Sequence, residues 1–166
     1  MGARVRIQHF ISDRIGVPFE MMGLAVPSGV HALGATRVAV AGVYYPTDYG
    51  VRYSAFLTGA GLEVVGAQNL VDQGRFPDPA TVWAQSFDGI EPAMIVDSII
   101  EVGERFPEAE AVVVAGVPGR IVSHISAAET ALGKPIVSYH ALWWKCLQHL
   151  GHGPATRGGK LLDLLS

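Results

Sequence analysis

The sequence predicts an α/β fold, a parallel sheet with helices on both faces, and three observations predict it. Short Val-rich runs alternate with helical patterns along the chain. Those runs are almost continuously apolar, as strands buried on both faces are. Glycine and proline fall at the boundaries between the two kinds of segment. Strand and helix alternating in this way imply right-handed crossovers and parallel strands.

The opening segment fits this pattern least. Ile7 to Ile15 reads as a helix, GVPFEMM as a short strand, and Leu24 to Leu33 as a helix leading into the first clear strand. Residues 1–26 are therefore expected to be the remnant of a preceding lobe, residues 27–152 the α/β lobe, and residues 153–166 a C-terminal tail. The first clear strand is RVAVAGVYY, Arg37 to Tyr45. Pro46-Thr47-Asp48 follows, and Tyr49, Tyr53, Phe56, Leu57 and Ala60 then share one helical face that Gly61 closes.

Leu62 to Leu70 reads as the second strand. The loop DQGRFPDP leads to a helical region with Asp78 as N-cap and Pro79 in its first turn, and Gly89 and Pro92 divide that region in two. Its second half places Ile95, Ile99 and Val102 at helical spacing. Ala111 to Val117 is the third strand. The next helix carries Ile121, Ile125, Ala128 and Leu132 on one stripe, and Gly133 and Pro135 end it. PIVSY is a short fourth strand. ALWWKCLQHL is a closing amphipathic helix with Leu142, Trp143, Cys146, Leu147 and Leu150 along its apolar side. The tail reads as loose loop with a short apolar end.

Composition narrows the function classes. The chain has 166 residues, enough for one domain of the usual size of about 100–200 residues. Charged residues make up 16 % of it, against about 25 % in an average soluble domain, which suggests a surface partly covered by other chain. The net charge is −3 with no basic run, so an electrostatic footprint for nucleic acid is absent. A single cysteine, Cys146, forbids an internal disulfide and an all-cysteine zinc site. The six histidines show no metal spacing. No apolar stretch reaches the roughly 18 residues of a membrane span, and the N-terminus carries no secretory apolar core. A soluble, cytoplasmic, homo-oligomeric protein without cofactor or metal is the expectation.

In a parallel α/β sheet, ligands bind beyond the carboxyl ends of the strands. Three such ends carry suggestive residues: Tyr44 to Asp48, Gly116 to Arg120, and Ser138 to His140. Each precedes a helix whose free N–H groups favour an anion, so a small carboxylate or phosphate is the natural ligand. Each residue also has a plainer reading. Thr47 or Asp48 can serve as a helix N-cap, Gly116 and Gly119 as turn glycines, and His140 as a structural donor instead of an acid or base. Cys146, on the apolar stripe, reads as a buried, inert thiol. Gly-Val-Pro-Gly is not a dinucleotide fingerprint.

Three stretches resemble the C-terminal half of the aspartate/glutamate racemase superfamily, nearest its maleate cis-trans isomerase and arylmalonate decarboxylase branches. They are Gly16 to Gly66, Glu110 to Ser138 with its LGKP lead into a strand, and SYHALWWKCLQHLG. The resemblance implies one flavodoxin-like lobe of a two-lobed fold, with a cleft that takes a small (di)carboxylic acid. It implies isomerase or decarboxylase chemistry carried by two cysteines, one per lobe. Gly116 stands where the second of these is expected, and Cys146 matches neither. Tyr45 resembles the family's substrate-contacting tyrosine, with Thr47 beside it; Gly116, Val117, Pro118 and Tyr139 complete the expected substrate contacts. His140 is then the expected acid or base. The alternative is a non-catalytic module that binds a small anion or pairs with another lobe.

Overall fold

The computed structural model describes residues 2–42, 47–85, 89–116, 121–153 and 158–166. The chain runs α1 (Gly2–Ile15), α2 (Met22–Ala32), β1 (Arg37–Gly42), α3 (Thr47–Thr58), β2 (Glu63–Asn69), α4 (Pro79–Gln85) and α5 (Pro92–Arg105). It continues with β3 (Ala111–Ala115), α6 (Val122–Leu132), β4 (Ile136–Val137), α7 (His140–Leu150) and α8 (Lys160–Asp163). The strands form one parallel sheet in the order β2-β1-β3-β4. That is the flavodoxin-like order as far as its fourth strand, and the connections reverse direction between β1 and β3.

Strand alternation sends β1 and β3 side chains to two cores. Ala39, Ala41, Val112 and Val114 meet Ile95, Ile99 and Val102 of α5 and Ile125 and Ala128 of α6. Val38, Val40 and Val113 meet Val26 and Val30 of α2, Leu57 of α3, Trp144 of α7, and Leu161 and Leu162 of α8. Burial on both faces explains why these strands read as continuous Val runs.

Several elements end as their residues dictate. Thr81 N–H donates to Asp78 Oδ1 at 2.9 Å, which makes Asp78 the cap of α4 and holds its carboxyl below the usual range. Gly133 and Gly151 end α6 and α7 with φ of +74° and +65°, a left-handed backbone that favours glycine.

Four expectations change. GVPFEMM is not a strand: residues 17–21 have no regular structure, and α2 begins at Met22. Pro18 lacks a ladder donor, and Phe19 N–H is taken by Ser12 Oγ at 2.9 Å. The buried stripe of α7 is His140, Ala141 and Trp144, whereas Trp143 and Leu150 are exposed. Cys146 is exposed as well, since it lies on the far side from that stripe. The end of the chain is anchored: α8 buries Leu161 and Leu162 in the core it shares with β1 and β3.

Candidate functional site

The described carboxyl ends of β1 and β3 are Gly42 and Ala115, which pair with each other. Gly116 follows with φ +70°, so the chain leaves β3 through a left-handed residue that only glycine adopts without strain. Thr47 is the first residue of α3. Tyr45, Val117 and Pro118 lie outside the described residues. The structure therefore brings Gly116 and the start of α3 to the same end of the sheet as β4's exit at Ser138, Tyr139 and His140.

That exit is tightly organised. Ser138 and His140 have no accessible surface. Ser138 Oγ lies 2.8 Å from His140 Nδ1, and Ser138 N–H donates to the same nitrogen at 3.4 Å. A ring that accepts at Nδ1 carries its proton on Nε2. His140 Nε2 is buried and has no partner among the described residues. Burial depresses the His140 pKa to about 4, so the imidazole is neutral at pH 7. In this arrangement His140 is a hydrogen-bond donor through Nε2–H. It is fully enclosed and is not among the lining residues of the strand-end cavity.

Tyr139 points the other way and packs with its ring against the α5/α6 core and edge-on to Trp143, with ring centroids 5.7 Å apart. Its hydroxyl is enclosed without a partner among the described residues, and burial raises its pKa.

A cavity of about 310 Å³ opens at the same end of the sheet, between β1, β2 and α3; Gly42, Ala67, Asn69, Asp72, Ser54 and Ala115 are among its lining residues. Sequence reasoning missed Asn69 and Asp72. The available signal was the N-L-V-D spacing at a strand end, which suits a side-chain-closed turn. Among the described residues no group of three or more His, Cys, Asp or Glu side chains is placed to hold a metal ion. No described helix is long and apolar enough to cross a membrane.

A parallel four-stranded sheet with a cavity and a glycine turn at its strand ends defines an α/β protein of flavodoxin-like order. The family model for arylmalonate decarboxylase matches residues 4–162, and the chain belongs to that family. It is 28 % identical over 148 residues to the arylmalonate decarboxylase of Bordetella bronchiseptica, which covers 89 % of this chain and 58 % of that protein. This chain thus spans little more than half the length of that relative. It superposes on an unliganded arylmalonate decarboxylase with a TM-score of 0.77 and 27 % identity, covering 98 % of this chain and 68 % of the other. A maleate isomerase from Pseudomonas putida shares the fold, with a TM-score of 0.75 at 23 % identity, covering 97 % and 62 % of the two chains. The racemase-like branch read from the sequence is the one these relatives occupy.

Proposed function

We propose that this chain binds a small carboxylic acid at the carboxyl ends of β1, β3 and β4, and takes part in its decarboxylation or isomerisation. The observation that carries this reading is the convergence of cavity, Gly116 turn and strand ends in a member of the arylmalonate decarboxylase family. In this reading Tyr45 and Thr47 hold one carboxylate, together with backbone donors at Gly116, Val117, Pro118 and Tyr139. Helix N-termini there favour the negative charge.

His140 is assigned the proton-handling role. As a neutral ring with its proton on Nε2, it acts as a hydrogen-bond donor and acid toward an oxygen that gains charge. Gly116 leaves this strand end without a thiol, so the described residues of this lobe supply no cysteine to the reaction. A cytoplasmic, self-associating protein completes the reading, with the exposed Ile7, Phe10 and Ile15 of α1 as the contact surface.

The test is calorimetric titration of the purified chain with maleate, phenylmalonate and phenylacetate, alongside turnover assays on the first two. Saturable binding is expected, and turnover that falls with His140→Ala. Binding without turnover would favour the non-catalytic anion-binding module. If none of the three acids binds, the reading fails.

A further inference from the structure

Residues 158–166 form a strap around α8, which packs on β4 and α7. Leu161 and Leu162 fill the core that Val30 of α2 shares with Ala141 and Trp144 of α7. A Cβ at Gly29 of α2 would meet Leu161 Cδ2 at 3.0 Å and Ala141 Cβ at 3.4 Å, so Leu161 sits where α2 meets the first turn of α7. His140 opens that turn.

The strap's polar attachments to the rest of the protein are few. Among the described residues two hydrogen bonds hold it, from Gly159 N–H to Ser126 Oγ at 3.1 Å and from Lys160 N–H to Glu129 Oε2 at 2.8 Å. Its other backbone bonds are internal: Leu162 and Asp163 N–H donate to Gly159 O, Leu165 N–H to Leu162 O, and Ser166 N–H to Asp163 O. Those bonds survive undocking, so the strap leaves or stays as a unit. A cavity of about 580 Å³ runs along its seam with α6, lined by Ser126, Glu129, Lys160 and Asp163, so packing does not close that seam. The docked state also encloses two donors, His140 Nε2 and Trp144 Nε1, that have no acceptor among the described residues. Four positions apart on α7, they lie on one helix face. Water satisfies both once the strap lifts, so docking carries their unrelieved desolvation cost.

We propose that the strap is a gate: it undocks as a unit and uncovers the first turn of α7, giving a small carboxylic acid access to His140 and Trp144. The inference rests on the carboxylic-acid reading above and adds how that site opens. An acid that binds only the open form holds it open, and its apparent affinity falls with the fraction of protein that is closed.

The test combines hydrogen exchange, tryptophan emission and calorimetry on the whole chain, with maleate and phenylacetate as the acids. Exchange in residues 160–166 is expected to be about a hundredfold faster than in β1 and β3, and faster still with saturating maleate. Gly159→Ala places a Cβ 2.5 Å from Ile125 Cγ2 and 2.7 Å from Glu129 Oε2 at a φ of +84°, which lifts the strap without altering its leucines or His140. Trp144 is 4 % exposed, against 60 % and 46 % for Trp83 and Trp143, so a red shift of emission reports its uncovering. The variant is expected to show that shift, to keep the slow exchange of β1 and β3, and to bind maleate about tenfold more tightly. If it loses protection in β1 and β3 as well, Ser126→Ala, which removes one anchor and no packing, is read in its place against the same outcomes. Strap amides that exchange no faster than β1 and β3 overturn the gate. A red-shifted variant with unchanged acid binding overturns it too, while acid binding by the wild type keeps the carboxylate reading standing. Failure of both acids to bind wild type and variant alike overturns both.

Discussion

Glu129 clamps Lys160: its Oε2 accepts the Lys160 N–H at 2.8 Å, while its Oε1 accepts the N–H of Ile136 at the same distance. One buried carboxylate of α6 thereby ties the start of α8 to the head of β4. Gly159 reaches the clamp with φ +84° and donates its N–H to Ser126 Oγ at 3.1 Å.

Glu129→Ala strands two backbone N–H groups and is expected to cost about 3 kcal/mol in urea unfolding. Glu129→Gln, which keeps one acceptor, is expected to cost less. Burial raises the Glu129 pKa despite those bonds. Its pH-dependent contribution is therefore present below the unfolded value and lost as pH rises through the folded one. Unfolding at a series of pH values above 4.5 should show Glu129→Gln losing less stability than the wild type.

His140 sets an acid limit of the opposite sign. Its folded pKa, about 4, lies below the ordinary value of 6.5, because burial penalises the imidazolium. Its contribution is full above 6.5 and lost as pH falls through about 4. The loss amounts to about 3 kcal/mol over that window. His140→Gln should flatten the stability profile between those two pH values, and an unchanged slope would count against the buried neutral ring.

Gly116→Ala and Gly116→Cys are expected to destabilise the chain alike, by about 1–2 kcal/mol, because φ +70° crowds any Cβ. Melting both variants separates backbone strain from thiol chemistry. A stable cysteine variant beside an unstable alanine one would show the thiol gaining a partner at the turn.

Cys146 should react with a thiol reagent in the native protein at a rate close to that of the unfolded chain, because it is exposed. Cys146→Ser is expected to change stability by less than about 0.5 kcal/mol.

Apolar runs and glycine stops made most of the fold legible. The Val-rich strands, the Asp78 cap and the Gly133 stop all follow from local chemistry. In α7, hydropathy chose the bulkiest apolar stripe, whereas packing against the sheet selected Ala141 and Trp144. Bulk alone does not say which helix face meets a sheet. The site was legible only in outline, at strand ends. Asn69 escaped because its placement depends on a side-chain-to-backbone turn and on strand register, and neither leaves a hydropathy signature.

The pairing of β2 with β1 skips a step: Val38 pairs with Val64, but Ala39 pairs with Gly66. Were Val65 paired in the ladder instead of skipped, Gln68 would stand opposite Gly42 and Asn69 would fall beyond it. The cavity wall is thus indexed by a residue four positions before Asn69 that is not among the cavity's lining residues. Deleting Val65 would therefore straighten β2 and leave Asn69 opposite Gly42, whereas one residue inserted between Gly66 and Asn69 would carry Asn69 off the ladder.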